Sequence, residues 1–280
     1  CFGVVPWLES ARLLPDEDSV ALDRKVEKAM GREDALRIVV PRLPHIANFD
    51  DFDPLKAEAD VDLEFVTPGH PLPIDADLII LPGSKTTIAD LAAFRAEGWD
   101  IDLYAHHRRG GRVLGICAGY QMLGRRIADP SGIEGEAEDG VAALGLLDVE
   151  TVIGKEKTLA QSTGTFGAEG VLTEGYEMHM GETSGPDCTR PFLDLAGNDG
   201  AGGGARSGDG RVEGCYVHGL FANDDFRRNF LDGLHRPGDQ GPGQNGPSFD
   251  GKIEAALDEL ADLLETQIDI DRMLEIARAR

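Results

Sequence analysis

Several common features are absent from this sequence of 280 residues. No apolar run approaches the roughly 20 residues that cross a bilayer, which argues against a membrane-spanning helix. The start, CFGVVPWLES, has neither a methionine nor the basic stretch of a signal peptide, so we expect an upstream domain to precede it. The four cysteines form no CxxC pair and no zinc spacing, which favours a reduced, cytoplasmic setting.

Basic residues are also scarce. The chain has 27 lysine and arginine residues against 51 acidic ones, which gives a net charge of −24, and only seven of the basic residues are lysine. Such a charge repels nucleic acid and anionic membranes, so neither is an expected partner. A lysine-poor, acidic surface is typical of proteins from a high-salt cytoplasm, where salt screens self-repulsion. We therefore expect the stability of the fold to depend on salt.

Strands and helices alternate from Leu36 onward. The short apolar runs LRIVVP, VDLEFV, ADLIILPG and RVLGIC have the composition of buried strands, and helical patterns separate them. This alternation predicts an α/β fold with a mainly parallel, doubly wound sheet. After Asp129 the sequence becomes strand-rich, and we expect antiparallel strands added to that sheet. The end of the chain, KIEAALDELADLLETQIDIDRMLEIARAR, predicts C-terminal amphipathic helices.

Composition divides the chain into four regions. Residues 1–33 are expected to be a linker or the remnant of an upstream domain, with a helix in LPDEDSVALDRKVEKAM. Residues 34–235 form the main domain and include a helix expected over 223–234. Residues 236–251 are rich in glycine and proline and predict a linker. Residues 252–280 form the helical segment.

The stretch LGICAGYQMLG places Cys117 between glycines at positions 115 and 119. A strand-like run precedes it and a helical pattern follows, which is the arrangement of a nucleophile elbow. The thiol would lie at the carboxyl edge of the sheet, where open α/β folds bind ligands. A helix N-terminus next to it favours the thiolate. The alternative is a buried structural cysteine, but the α/β context favours a nucleophile.

A nucleophilic cysteine needs a base, and His218 is the best candidate. It ends the strand-like GCYVHGLF, a glycine follows it, and a helix starts soon after. His106 and His107 stand beside arginines at an expected helix end and are interpreted as solvated. Cys215, three residues before His218, is expected to lie on the opposite face of the strand, in the core.

The stretch LIILPGSKTT superficially suggests a phosphate-binding loop. The Walker pattern requires glycine immediately before the lysine, and Ser84 stands there, so nucleotide binding is rejected. A strand-to-helix turn of this kind offers backbone N–H groups, which stabilise an oxyanion.

The motifs LPGSKTT, GICAGYQMLG, GYEMHMGET and GCYVHGLF, in that order, resemble the class I (triad-type) glutamine amidotransferases, which have a flavodoxin-like fold. More narrowly they resemble the branch that amidates corrinoids. In that branch GVVPWL with LPDEDSVAL is similar to the segment that joins an ATP-dependent amide-ligase domain to the glutaminase domain. LADLLETQIDIDRML is similar to its C-terminal helix. The resemblance covers nearly the whole chain outside the glycine-rich stretches.

The resemblance implies a role for each matching residue. Cys117 would attack the side-chain amide of glutamine, and His218 would carry the proton to the departing ammonia. The backbone N–H groups of Gly83 and Ala118 would form the oxyanion hole. The pocket for glutamine would involve Gln121, Tyr176, Glu177 and His179. The last three would shape the pocket or the contact with the ligase domain.

The sequence departs from the wider class at two positions. Most class I members have a glutamate two residues after the histidine, which orients it, and Leu220 stands there instead. The corrinoid branch commonly lacks that glutamate. The orienting group is left open: a backbone carbonyl, another carboxylate, or none if a Cys–His dyad suffices. Ala118 replaces the usual glycine but still supplies an N–H group.

The resemblance implies that glutamine hydrolysis supplies ammonia for ATP-dependent amidation of peripheral carboxylates of cobyrinic acid a,c-diamide in cobalamin biosynthesis. No cofactor or metal is expected in this chain, because ATP and Mg²⁺ belong to the ligase domain. The nearest alternatives are the glutaminase of cobyrinate a,c-diamide synthesis or of peptidoglycan-precursor amidation. A cysteine peptidase or hydrolase of the same fold is more distant, and a silent docking module is disfavoured because both Cys117 and His218 are present.

Overall fold

The structure is a computed structural model that describes residues 1–14, 35–135, 137–196, 203–235 and 247–279. The strands are β1 (Leu36–Pro41), β2 (Ile46–Ala47), β3 (Val61–Val66), β4 (Leu78–Leu81), β5 (Gly83–Ser84), β6 (Arg112–Ile116), β7 (Arg126–Asp129), β8 (Ala137–Ala142), β9 (Glu150–Phe166), β10 (Val171–Ser184), β11 (Leu193–Leu195), β12 (Ala205–Arg206), β13 (Val212–Cys215) and β14 (Val217–His218). The helices are α1 (Asp53–Lys56), α2 (Thr87–Ala96), α3 (Trp99–Arg108), α4 (Ala118–Leu123), α5 (Asp224–Asp232), α6 (Phe249–Gln267) and α7 (Ile270–Arg278).

The first sheet has the order β3-β1-β4-β6-β13, and every neighbouring pair in that run is parallel. Read in chain order, this is the 2-1-3-4-5 arrangement of doubly wound flavodoxin-like folds. β12 adds one antiparallel strand at the β13 edge. The predicted α/β class and parallel sheet are confirmed.

Both faces of this sheet are buried, because successive side chains of a strand point to opposite faces. In β1, Val39 joins the core cluster on one face, with Trp99 of α3 and Met122 of α4. Ile38 and Val40 join the cluster on the other face, which also contains the phenylalanines packed near α5. The apolar runs therefore follow from two-sided burial, which removes the polar alternation of a half-exposed strand.

Most of the later strands do not extend the first sheet. They form a second sheet of order β14-β10-β9-β7-β8, with β11 paired to β9. Its long element is the antiparallel hairpin of β9 and β10. The chain passes from the first sheet to the second at Tyr216, which lies between β13 and β14. The expected antiparallel strands thus exist, but among the described residues β12 is the one antiparallel strand that is added to the parallel sheet.

The two ends of the described chain meet. Gly3 forms an antiparallel bridge with Ile268, and the Asp269 N–H donates to the Phe2 carbonyl at 2.8 Å. The helical segment expected over 252–280 is two helices, α6 and α7. The helix expected near residues 14–30 and most of the linker expected over 236–251 lie outside the described residues. No helix in the described part of the chain has both the length and the apolar character needed to cross a membrane.

Candidate active site

Cys117 occupies a sharp turn between β6 and α4. Its backbone has φ 54° and ψ −111°, and among the described residues Asn48 is the one other non-glycine residue with positive φ. Positive φ is strained for a residue with a side chain, and such strain concentrates at functional sites. The thiol lies at the N-terminus of α4, and the residue is 9% exposed. The predicted nucleophile elbow therefore has the expected geometry.

The two glycines around Cys117 are required by close packing. A Cβ on Gly115 would lie 2.7 Å from the Gly119 carbonyl oxygen, because α4 folds back against the end of β6. A Cβ on Gly119 would lie 2.0 Å from the backbone oxygen of Leu81 in β4. No side chain fits at either distance, so the G-x-C-x-G pattern allows the helix to start directly beneath the thiol.

His218 is held by a carboxylate from a distant part of the chain. Its Nδ1 lies 2.7 Å from Asp51 Oδ2, and the other carboxylate oxygen accepts the Gly219 N–H at 2.7 Å. Both partners are buried, His218 at 1% exposure and Asp51 at 6%. Burial opposes the imidazolium, but the hydrogen bond to Asp51 and the nearby Cys117 outweigh it, raising the pKa of His218 to about 10. The site therefore favours the protonated state that a general base reaches after accepting a proton.

Gly83 lies against both members of the Cys–His pair. A Cβ at this position would be 3.3 Å from His218 Cε1 and 3.8 Å from Cys117 Cβ. The backbone of the LPGSKTT turn thus lies beside Cys117 and His218. The turn is tied down by the buried carboxylate of Asp90, which accepts from Ser84 Oγ at 2.6 Å and contacts His45 Nδ1 at 2.8 Å.

The Ala118 N–H belongs to the first residue of α4. An N–H at that position has no acceptor within its own helix. Cys117 immediately precedes Ala118 in the chain, at the N-terminus of α4. The oxyanion-hole role expected of Ala118 and Gly83 stays a prediction.

Tyr176 covers the far side of His218. The two rings stack with centroids 5.4 Å apart and planes at 25°. The Tyr176 hydroxyl accepts from Asn48 Nδ2 at 2.8 Å, which ties β10 to the turn that carries Asp51. Burial and the Asp51 charge raise the pKa of Tyr176. Tyr176 therefore packs directly against the His218 ring.

Gln121 lies in α4, and its whole amide group is hydrogen-bonded within the protein. Its Oε1 accepts from Thr87 Oγ1 at 2.8 Å, while its Nε2 donates to the Met180 carbonyl at 3.0 Å and to Tyr216 Oη at 3.2 Å. These bonds hold β10 over α4. The Cys117 thiol in turn donates to the Met178 carbonyl, with Sγ and oxygen 3.6 Å apart. Direct contact of Gln121 with a ligand would require these bonds to be exchanged.

His179 is linked to Gln121 through Tyr216, and Glu177 lies beside His179. The His179 ring stacks on Tyr216 with centroids 3.7 Å apart, and its Nδ1 lies 3.1 Å from the Gly181 carbonyl oxygen. Glu177 Oε2 is 3.9 Å from His179 Nε2. Glu177 and His179 thus form a pair next to Tyr216, and their role toward a substrate stays a prediction.

Asp51 and Asn48 were missed by sequence reasoning. Both follow β2, the two-residue strand that comes after β1, and the carboxyl ends of parallel strands converge at one edge of a sheet. Acidic residues following β1 were therefore a usable signal, although the run FDDFD gave no reason to choose among its members.

One further interpretation was wrong. His106 is 2% exposed rather than solvated, because its Nε2 lies 2.9 Å from the Arg112 carbonyl oxygen where α3 returns to β6, and burial lowers its pKa. Cys215 is fully buried, as expected, and burial raises the pKa of its thiol.

The described residues contain no group of three or more His, Cys, Asp or Glu side chains placed to hold a metal ion. What the site does hold is a thiol at a helix N-terminus, a buried base with an orienting carboxylate, and backbone donors. Such a set of groups is able to carry out acyl transfer through a thioester.

Comparison with known proteins points to the same chemistry. The model of the CobB/CobQ-like glutamine amidotransferase domain family matches residues 37–226. The chain is similar to the cobyric acid synthase of Novosphingobium aromaticivorans, with 52% identity over 99% of this chain and 54% of the relative. It is also similar to the cobyric acid synthase of Methylobacterium nodulans, with 54% identity over 98% of this chain and 54% of the relative.

The chain thus spans about half the length of these curated relatives. Among solved structures, PurLQS from Thermotoga maritima has a TM-score of 0.54 at 18% identity, covering 72% of this chain and 100% of that chain. At that identity the likeness shows the fold alone.

Proposed function

Since the chain belongs to the CobB/CobQ-like glutamine amidotransferase domain family, we propose that it hydrolyses glutamine and serves as the glutaminase part of a cobyric acid synthase. The observation that carries the proposed chemistry is the pairing of Cys117, in a strained turn, with a His218 held by Asp51. Family membership supports the proposed substrate class, and the geometry supports the roles proposed for the residues.

The reaction divides into two steps. In the first, the proton of Cys117 resides on His218 as an imidazolium, Sγ attacks the side-chain carbonyl carbon of glutamine as the thiolate, and the carbon–nitrogen bond breaks. The proton passes from His218 to the leaving nitrogen, which departs as ammonia. In the second, His218 takes a proton from water, the hydroxide attacks the thioester, and glutamate leaves as Cys117 recovers its proton. Each tetrahedral intermediate carries a negative oxygen, which the backbone N–H groups of Gly83 and Ala118 would stabilise.

Asp51 has a positioning role in this scheme. Its hydrogen bond to Nδ1 fixes the imidazole so that Nε2 remains available to the thiol and the leaving group. The same carboxylate stabilises the imidazolium that forms in each step. Asp51 thus fills the place left open by Leu220, where most class I members have glutamate.

The wider role rests on the relatives. We propose that ammonia from this site reaches an ATP- and Mg²⁺-dependent amide-ligase domain of the same polypeptide, which amidates carboxylates of a corrinoid such as cobyrinic acid a,c-diamide. Relatives about twice as long as this chain, all named cobyric acid synthase, support this proposal. A cytoplasmic location and the absence of a cofactor from this chain belong to the same proposal.

A surface for such a domain is available at the joined ends of the chain. Most of the exposed large apolar side chains of the described residues lie on the first seven residues and on α6 and α7. Phe2, Met273 and Ile276 line one open groove there. Exposed apolar patches of this kind mark protein interfaces. We propose that this terminal surface contacts the ligase domain, whose presence is supported by the length of the relatives.

Release of glutamate and ammonia from labelled glutamine tests the proposed activity. We expect turnover to be lost in Cys117→Ala and in His218→Ala, and to persist in the matched control Cys188→Ser, whose thiol lies 3.7 Å from Tyr120 Oη. The glutamine analogue 6-diazo-5-oxo-norleucine should label Cys117, as read by peptide mass spectrometry. Undiminished turnover in Cys117→Ala would refute the proposed function.

A further inference from the structure

Glu177 is a buried carboxylate with one unpartnered oxygen. The residue is 8% exposed, and no described donor reaches its Oε1. Its other oxygen is 3.9 Å from His179 Nε2, which is beyond hydrogen-bond distance. A buried carboxylate oxygen without a donor is unfavourable, because the group has lost its hydration and gained nothing in return. The arrangement becomes favourable when a cationic donor occupies the place beside Oε1.

The position of Glu177 along β10 brings it next to the reacting groups. On one side, Tyr176 stacks on the His218 ring. On the other, the Met178 carbonyl accepts from the Cys117 thiol. Glu177 itself pairs with Val217, the residue before the base, in the β10–β14 ladder. Its backbone is therefore one residue away from both the contact with the base and the contact with the nucleophile.

The alternation of side chains along β10 shows which face of the strand carries the Glu177 carboxylate. Side chains two residues apart on a strand share a face, so Glu177 shares a face with His179 and is opposite Tyr176. His179 stacks on Tyr216, whose hydroxyl accepts from Gln121 Nε2. Tyr176, which stacks on His218, and the unpartnered carboxylate of Glu177 therefore lie on opposite faces of β10.

We propose that Glu177 Oε1 binds the α-ammonium group of glutamine, an inference that rests on the proposed function. When the amide of glutamine is at Cys117, three carbon–carbon bonds and one carbon–nitrogen bond separate its carbonyl carbon from the ammonium nitrogen. The ammonium supplies a charged donor where Glu177 lacks one, and charge-assisted hydrogen bonds of this kind are the strong ones. The site then selects an α-amino acid amide over a simple amide.

Two substrates that differ at one group test this assignment. Glutaramate has the amide, the carbon chain and the carboxylate of glutamine but no ammonium group. The test compares kcat/KM for glutamine and for glutaramate in the unaltered chain, in Glu177→Gln and in a matched control, Glu174→Gln. Glu174 lies on the same strand and is exposed. Alkylation of Cys117 by iodoacetamide, which is neutral, reports separately on the thiol.

We expect Glu177→Gln to lower kcat/KM for glutamine by about tenfold to a hundredfold, the loss typical of one hydrogen bond to a charged group. The value for glutaramate and the alkylation rate should stay within about twofold, because neither compound has the ammonium. Glu174→Gln should leave both substrates unaffected.

Equal losses for the two substrates would give Glu177 a structural role and overturn the inference. So would an unchanged preference for glutamine over glutaramate. Absence of any glutamine turnover in the unaltered chain would refute the proposed function and this inference with it. If the unaltered chain hydrolyses glutamine and Glu177→Gln keeps the same preference for glutamine over glutaramate, the inference is overturned and the proposed function stands.

Discussion

Asp51 and His218 are 167 residues apart in the sequence, yet Asp51 Oδ2 lies 2.7 Å from His218 Nδ1. The same carboxylate also accepts the Gly219 N–H, so neither oxygen is free to turn away. The imidazole is therefore fixed from the turn after β2, although no acidic residue stands two positions after His218. This arrangement completes a Cys–His–Asp triad whose members come from three separate segments.

Removing the Asp51 charge should impair the reaction without removing the nucleophile. In Asp51→Asn we expect kcat for glutamine hydrolysis to fall by about a thousandfold or more, since the amide stabilises neither the correct tautomer nor the imidazolium. Steady-state kinetics measures this, with Asp50→Asn as the exposed neighbouring control. Activity within about tenfold of the unaltered chain would contradict a positioning role for Asp51.

The pKa of His218 predicts a loss of stability on the alkaline side. The folded-state pKa is about 10 and the ordinary value is 6.5, so the folded chain binds more protons between these values. The stabilisation is complete below about pH 6.5 and is lost as the pH rises through about 10. Urea titrations between pH 7 and 10 should show a falling free energy of unfolding for the unaltered chain. The fall should be smaller in Asp51→Asn, and parallel curves would contradict the coupling.

Gly119 should tolerate no side chain. In Gly119→Ala we expect the free energy of unfolding to fall by about 3 kcal/mol or more, because the new Cβ meets the Leu81 carbonyl and α4 must shift. Gly154→Ala is the matched control, since a Cβ there has open space around it. The control should change stability by less than about 1 kcal/mol. Equal effects in urea unfolding would show that α4 does not depend on the close approach.

The terminal surface should govern contact with the remainder of a cobyric acid synthase. The double variant Met273→Ser and Ile276→Ser replaces two apolar side chains of the groove by polar ones. It should weaken binding to the ligase part of the Novosphingobium relative by about tenfold or more. Ile74→Ser, an exposed apolar residue elsewhere, is the control. Isothermal titration calorimetry measures both affinities. Equal affinity for the two variants would place the interface on another surface.

The charge imbalance predicts that added salt stabilises the chain. With a net charge of −24, self-repulsion should be screened as KCl rises from about 0.1 M to 2 M, and the thermal midpoint should increase. The increase should level off once the screening length becomes shorter than the spacing between surface carboxylates. A midpoint that is independent of KCl would remove the expectation of a high-salt adaptation.

The parts of the site that depend on local sequence could be predicted. Cys117 was identified because two glycines, a strand and a helix surround it within eleven residues of chain. His218 was identified because it ends a strand and a glycine follows. Asp51 could not be identified in this way, because its role depends on the distance between two strand ends, and that distance is set by tertiary packing.

The sheet division shows the same limit. The strands after Asp129 were expected to extend the parallel sheet, since hydrophobic alternation gives the strand but not its partner. The chain enters the second sheet at β7, returns to the first sheet for β12 and β13, and enters the second again at the bend at Tyr216, which precedes β14. His106 was misjudged for a related reason: its arginine neighbours suggested solvent, whereas the return of α3 to β6 buries the ring.

The bend at Tyr216 has a mechanical consequence. Cys117 is carried by β6 of the first sheet, whereas His218 belongs to β14 of the second. The separation of thiol and imidazole is therefore set by the way two sheets pack, and not by the rigidity of either one. A slide of one layer over the other would lengthen the path of the proton while every ladder within each layer stays intact. Tyr216, which joins β13 to β14, is a covalent link between the two sheets close to both groups.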